Sequence, residues 1–158
     1  MKRVYVNEQW CLGCHLCEYN CAYANSPKAG QGLYGMVDAV KDKPICPRIT
    51  IESTDEDASC ADPSQTAISY AVQCRHCTDP ICVKSCISGA LHKENGTVVI
   101  DHDKCVGCFT CILVCPYGAI THDDTGAVQK CELCLKNTAG KPACVAGCPN
   151  AAIVFEER

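Results

Sequence analysis

Sixteen of the eighteen cysteines fall into four motifs that share one rule. The first is Cys11-x2-Cys14-x2-Cys17-x3-Cys21, and the second is Cys74-x2-Cys77-x4-Cys82-x3-Cys86. The third is Cys105-x2-Cys108-x2-Cys111-x3-Cys115, followed by Pro116. The fourth is Cys131-x2-Cys134-x9-Cys144-x3-Cys148, followed by Pro149. Each gathers three thiols in a loop and sets a fourth after a constant gap. Thiols so crowded bind iron or zinc in a reducing compartment and pair as disulfides in an oxidising one. Zinc needs only paired C-x2-C knuckles and gives no reason for triplets with a fixed offset.

The third motif, CVGCFTCILVCP, matches the C-x2-C-x2-C-x3-C-P run of bacterial ferredoxins residue for residue. Such a loop wraps three thiolates around three iron corners of a cubane. In two-cluster ferredoxins the fourth cysteine ligates the neighbouring cluster, so two motifs lock together reciprocally. By this rule four motifs hold four 4Fe-4S clusters in two interlocked pairs. The last cysteine of each motif is expected on a short helical turn such as CILVC or CVAGC. Spacing alone leaves the pairing open, since 18 residues separate motifs two and three and 15 separate motifs three and four.

The elements that must position these loops are short. VYV (4–6), RITIE (48–52), AISYAV (67–72), TVVID (97–101), AIT (119–121), AVQK (127–130) and AIVFE (152–156) read as strands. Asn95-Gly96 and Asp124-Thr125-Gly126 supply turns before two of them. Strands alternating with cluster loops and short helices predict an α+β, ferredoxin-like chain of two interlocked two-cluster units. Clusters replace much of the apolar core, so folding should require them.

Composition narrows the function. Cysteine at about 11 % of the chain marks a disulfide scaffold or a metal protein. MKRVYVNEQW has no apolar h-region and no small-residue cleavage site, so a cytoplasmic location with reduced thiols is expected. No apolar run approaches the length of a membrane span. The formal charge of −4 falls to about −12 if four clusters each carry about −2. That excludes the basic face nucleic acid demands and favours docking onto a basic patch of another protein. No nucleophile–base arrangement and no phosphate loop in a credible context is evident, so electron transfer is the expected role, not catalysis.

As a set, the motifs resemble the four-cluster iron–sulfur subunits of carbon monoxide dehydrogenase, hydrogenase, formate dehydrogenase and dimethyl sulfoxide reductase complexes. CRHCTDPICVKSC in motif two and the long C-x9-C with GKPACVAGCP in motif four carry the likeness. CISGAL (86–91) and DKCVGCFTCILVCPYGAI (103–120) are most similar to the carbon monoxide dehydrogenase-associated ferredoxins. The resemblance covers nearly the whole chain and is weakest over the insert 22–66. It implies that motif one pairs with four and motif two with three. Cys11, Cys14, Cys17 and Cys148 would then share a cluster, and Cys131, Cys134, Cys144 and Cys21 a second. Cys74, Cys77, Cys82 and Cys115 would hold a third, and Cys105, Cys108, Cys111 and Cys86 a fourth. Residues 67–121 would form an inner unit, with 1–66 and 122–158 building the outer one.

The resemblance further implies a place in a hetero-oligomer of anaerobic metabolism. The preferred donor is a nickel carbon monoxide dehydrogenase, and the acceptor is a hydrogenase or a flavin-dependent NAD(P) oxidoreductase. The alternative is the small subunit of a formate dehydrogenase, hydrogenase or tungsten aldehyde oxidoreductase. A zinc-stabilised interaction module is the alternative of another class. Pro follows the last cysteine only in motifs three and four, whereas Ala22 and Ile87 take that place in motifs one and two.

Other features are read as ordinary. GQGLYG (30–35) fits G-x-G-x-x-G, but no strand precedes it, so a flexible Gly-rich contact loop is expected. Among the scattered histidines, His15 and His76 lie within cluster loops, where packing and tuning of a cluster are the two options. Asp55-Glu56-Asp57 and Glu156-Glu157-Arg158 read as solvated surface. Cys46 and Cys60 stand outside the repeat, as small apolar residues or idle thiols, or as ligands of an extra shared centre. The first option predicts that the Cys46→Ser/Cys60→Ser double variant keeps its iron and zinc content in metal analysis. A loss of either metal would establish the extra centre.

Overall fold

The structure, a computed structural model, describes residues 1–41, 45–54, 68–123, 126–138 and 141–158. Four antiparallel two-stranded ribbons carry the described residues. β1 (Arg3–Val6) pairs with β8 (Ile153–Glu156), Val4 facing Phe155 and Val6 facing Ile153, which ties the first residues to the last. β2 (Ile49–Ser53) pairs with β3 (Ser69–Gln73), and β4 (Leu91–Glu94) with β5 (Thr97–Ile100). β6 (Ile120–His122) pairs with β7 (Val128–Lys130). Five helices join them: α1 (Leu16–Ala24), α2 (Gly32–Val40), α3 (Ile81–Lys84), α4 (Thr110–Val114) and α5 (Ala143–Ala146). The fold is α+β and ferredoxin-like, as the cysteine loops and short strands predict.

The predicted strands appear within one or two residues of their expected bounds, and residue 67 lies outside the described residues. Asn95 and Gly96 take φ of 48° and 84°, the two left-handed positions a tight hairpin needs. They recruit LHKE as β4, which shows no alternating apolar pattern of its own. The segment 30–35 departs from the expected loop, because α2 begins at Gly32 and runs to Val40. Leu33, Met36, Val37 and Ala39 supply enough helix preference and apolar surface to outweigh its glycines.

Apolar burial is split between two small cores. Val4, Ile49, Ala71, Leu133 and Ile153 form the first with Cys17, Cys21 and Cys144. Ala90, Leu91, Val98, Ile100, Ile120 and Val128 form the second with Cys111. Thiols are therefore core residues in both. α1 packs on α5 and α3 on α4, so the helices of motifs one and four meet, as do those of two and three. The repeat extends to local detail. 3-10 turns at Glu8–Trp10 and His102–Lys104 lead into Cys11 and Cys105, each capped by a side-chain oxygen, of Asn7 and Asp101, accepting from a backbone N–H at 3.1 Å.

Polar ties cross between segments. Glu18 Oε1 of α1 accepts from the Ile51 N–H of β2 at 2.6 Å. Glu132 is shared: Oε1 accepts from the Ile100 N–H at 2.9 Å, and Oε2 from Arg48 Nη1 at 3.0 Å. Both partners of that ion pair are largely buried, at 13 % and 15 % exposure. Arg48→Met should therefore cost about 2 kcal/mol, since it strips a charged acceptor of its donor. Lys84→Met, which breaks the exposed pair with Asp79, should cost no more than about 0.5 kcal/mol. Thermal unfolding of the two loaded variants checks the difference.

Candidate metal centres

Each cysteine loop turns on a left-handed residue immediately before its second cysteine. These are Gly13 (φ 61°), His76 (46°), Gly107 (65°) and Leu133 (57°). Left-handed turns of this kind are how successive N–H groups form anion-binding concavities, Fe–S sites among them. Glycine takes the position without strain in motifs one and three. A Cβ at Gly13 would also lie 2.8 Å from Ser69 Oγ, and one at Gly107 would lie 3.0 Å from the Gly126 carbonyl oxygen. His76 and Leu133 bear about 1–2 kcal/mol each and are held by near-complete burial. Sequence shows the turn only where glycine marks it.

The third cysteine, not the fourth, is the helical one. Cys17, Cys82, Cys111 and Cys144 lie within α1, α3, α4 and α5. Only Cys21 among the fourth cysteines is inside a helix; Cys86, Cys115 and Cys148 come just after one. Proline explains two of these, because the residue before Pro is pushed from helical to extended backbone. Cys115 accordingly takes φ −73° and ψ 113°. With Ala22 in that place, α1 continues through Cys21 to Ala24.

Three cavities gather thiols from different motifs. Cys11, Cys14, Cys17 and Cys148 line one. Cys86, Cys105, Cys108 and Cys111 line the second, and Cys74, Cys77, Cys82 and Cys115 the third. Cys21, Cys131, Cys134 and Cys144 lie within one another's electrostatic reach, which extends to Cys17 and Cys74 as well. Each cavity thus joins three thiols of one motif to the last thiol of another. Among the described residues no three His, Cys, Asp or Glu side chains close on a position for a single ion.

Burial dominates the chemistry of the inner thiols. It pushes Cys17 up to about 12, Cys21 to about 11 and Cys131 to about 12, and it raises Cys144 as well, with Cys131, Cys21 and Cys134 adding to the effect there. Such thiols ionise only when a metal supplies the opposing charge, so loading must release protons. Backbone donors already face several sulfurs. Arg48 N–H meets Cys21 Sγ at 3.2 Å, Leu91 N–H meets Cys86 Sγ at 3.4 Å, and Leu133 N–H meets Cys131 Sγ at 3.4 Å. At Cys86 burial acts upward, but the Leu91 N–H and the Ser88 hydroxyl outweigh it and hold the thiol below its usual range. The Thr110 N–H and hydroxyl do the same for Cys108.

The donor set fits 4Fe-4S clusters: soft thiols in fours, left-handed turns and N–H groups aimed at sulfur. His76 adds a further sign. Its Nδ1 accepts from the Val98 N–H at 3.1 Å, which places the proton on Nε2, and that buried N–H has no partner among the described residues. His15 is exposed and pairs with Glu18 Oε2 at 2.8 Å instead. Cys14 and Cys108 reach the surface, as does Cys46, while Cys60 and Asp55-Glu56-Asp57 lie outside the described residues. Among the buried polar residues that the sequence left unremarked are Gln73 and Lys130. Strand alternation offered a clue to the second, since Val128 and Lys130 share one face of β7.

A family model described as a 4Fe-4S dicluster domain matches residues 65–158. The iron-sulfur protein of Rhodospirillum rubrum is 36 % identical, over 95 % of this chain and 79 % of its own length. The B component of the anaerobic dimethyl sulfoxide reductase of Escherichia coli (strain K12) is 47 % identical, over 54 % of this chain and 43 % of its own. Hydrogenase-2 operon protein HybA of Escherichia coli O157:H7 is 34 % identical, over 94 % and 49 %. This chain therefore spans half or less of the last two relatives. Its thiol groups, loops and sequence agree: the protein belongs to the 4Fe-4S dicluster domain family.

Proposed function

We propose that this chain is the electron-transfer subunit of an oxidoreductase complex and holds four 4Fe-4S clusters. The observation that carries the proposal is the crossing of motifs, in which each of three cavities takes three thiols from one loop and one from another. Cys148 completes the group of Cys11, Cys14 and Cys17, and Cys21 that of Cys131, Cys134 and Cys144. Cys115 completes Cys74, Cys77 and Cys82, and Cys86 completes Cys105, Cys108 and Cys111. Residues 67–121 carry the inner pair and the two flanking segments the outer pair.

When bound, a 4Fe-4S cluster takes up and gives back one electron without breaking a covalent bond. The chain's own residues do the rest. Thiolates hold the iron, backbone N–H groups offset the charge on sulfur, and the apolar cores keep water from the inner sites. The exposed Cys14, flanked by exposed Leu12 and Leu16, gives the first group an open rim. Cys108, flanked by exposed Val106 and Phe109, does the same for the Cys86 group. With clusters bound, these two rims would be the places where electrons could enter and leave.

The preferred donor is a nickel carbon monoxide dehydrogenase, on the likeness of CISGAL and DKCVGCFTCILVCPYGAI to its ferredoxins. The acceptor is then a hydrogenase or a flavin-dependent NAD(P) oxidoreductase. The names of two relatives, a dimethyl sulfoxide reductase component and a hydrogenase operon protein, support the second reading, a small subunit of a hydrogenase, formate dehydrogenase or related enzyme.

Anaerobically prepared protein should contain about 16 iron and about 16 acid-labile sulfide per chain. Stoichiometric zinc without sulfide would sink the proposal. Cys148→Ser should disturb the cluster held by Cys11, Cys14 and Cys17 before any other, which EPR of the reduced protein reads directly. For the partner, mass spectrometry of proteins that co-purify under anaerobic conditions should find a carbon monoxide dehydrogenase. A formate or aldehyde enzyme in its place would overturn that assignment.

A further inference from the structure

Lys130 ends β7 with no exposed surface at all. Its Nζ donates to the carbonyl oxygen of Val98 and, at 2.6 Å, to that of Cys131. Val98 lines the cavity of Cys74, Cys77, Cys82 and Cys115, whereas Cys131 belongs to the group completed by Cys21. The ammonium group thus stands where the inner and outer units meet. Its charge is felt by Cys82 on one side and Cys131 on the other, and Cys131 in turn feels Cys74 across the same seam.

Among the described residues no carboxylate pairs with Lys130. A fully buried cation facing only neutral carbonyls is strongly unfavourable unless anions lie close by. Two anionic clusters, one on each side, meet that need. Those same neighbours have an electrostatic problem of their own, because reducing one cluster places extra negative charge beside the other. A fixed positive charge between them favours the reduced form of both.

We propose that Lys130 is a positioning residue for electron transfer, a buried cation that raises the potentials of the two clusters flanking it and keeps the step between the interlocked pairs open. In that step one electron leaves one cluster and enters the next. The inference rests on the four-cluster reading, and the test separates the two.

Lys130→Gln keeps donors for both carbonyls and removes the charge; Lys130→Arg keeps the charge. Both are compared with the unaltered protein by anaerobic redox titration followed by EPR, alongside iron and sulfide analysis. In Lys130→Gln two of the four midpoint potentials should fall by at least 59 mV, a tenfold change in a one-electron equilibrium, and the other two should stay. In Lys130→Arg all four should stay within that limit. The inference is overturned if Lys130→Gln moves none of the potentials, or moves all four alike, or if Lys130→Arg lowers the flanking two as far. Where Lys130→Gln fails to keep its clusters, Lys130→Arg decides: unmoved potentials support the inference, and a tenfold change overturns it. An unaltered protein with iron and sulfide well below about 16 would instead remove the four-cluster reading and this inference with it.

Discussion

Three residues lie between the third and fourth cysteines of every motif, and on either side of them lie two different thiol groups. Cys17 lines the cavity completed by Cys148, while Cys21, four residues on, lies within the electrostatic reach of Cys131, Cys134 and Cys144. Cys111 and Cys115 divide in the same way between the second and third cavities. This constraint dictates much of the rest. It requires helices of partner motifs to pack in pairs, α1 on α5 and α3 on α4. It also requires the two ends of the chain to meet, which the β1–β8 ribbon does.

Energetically, the ribbons and cores are subordinate to those centres. An isolated two-stranded ribbon is marginal in water, and here four of them surround cores in which thiols replace hydrocarbon. The buried thiols resist ionisation, so under the proposed assignment each would become a ligand only as iron neutralises its charge. Folding and loading are therefore one equilibrium in different terms. The cost of left-handed backbone at His76 and Leu133 and of burying Lys130 makes sense in the same way. Each is unfavourable in a protein without clusters and useful beside one.

The sequence made the cysteine groups legible because ligand spacing is a local property with few solutions. It also made most strands legible, because short runs rich in Val, Ile, Thr and Tyr stand between turn residues. Family likeness, not spacing, suggested which motifs belong together, since the meeting of Cys11 and Cys148 around one cavity is written in no local pattern. The turn positions of His76 and Leu133 were invisible because their types give no hint of left-handed backbone. α2 was hidden by its glycines, and β4 by a sequence that is a strand only because β5 pairs with it. Lys130 looks like any surface lysine until the whole seam is assembled around it.

The proposed electron transfer rests on the crossing of motifs, and diffraction at the iron edge from anaerobically grown crystals tests that crossing most directly. Four compact iron sites are predicted, with Cys148 Sγ on the site of Cys11, Cys14 and Cys17 and Cys21 Sγ on that of Cys131, Cys134 and Cys144. Single metal ions, or iron sites each closed by the four cysteines of one motif, would contradict it.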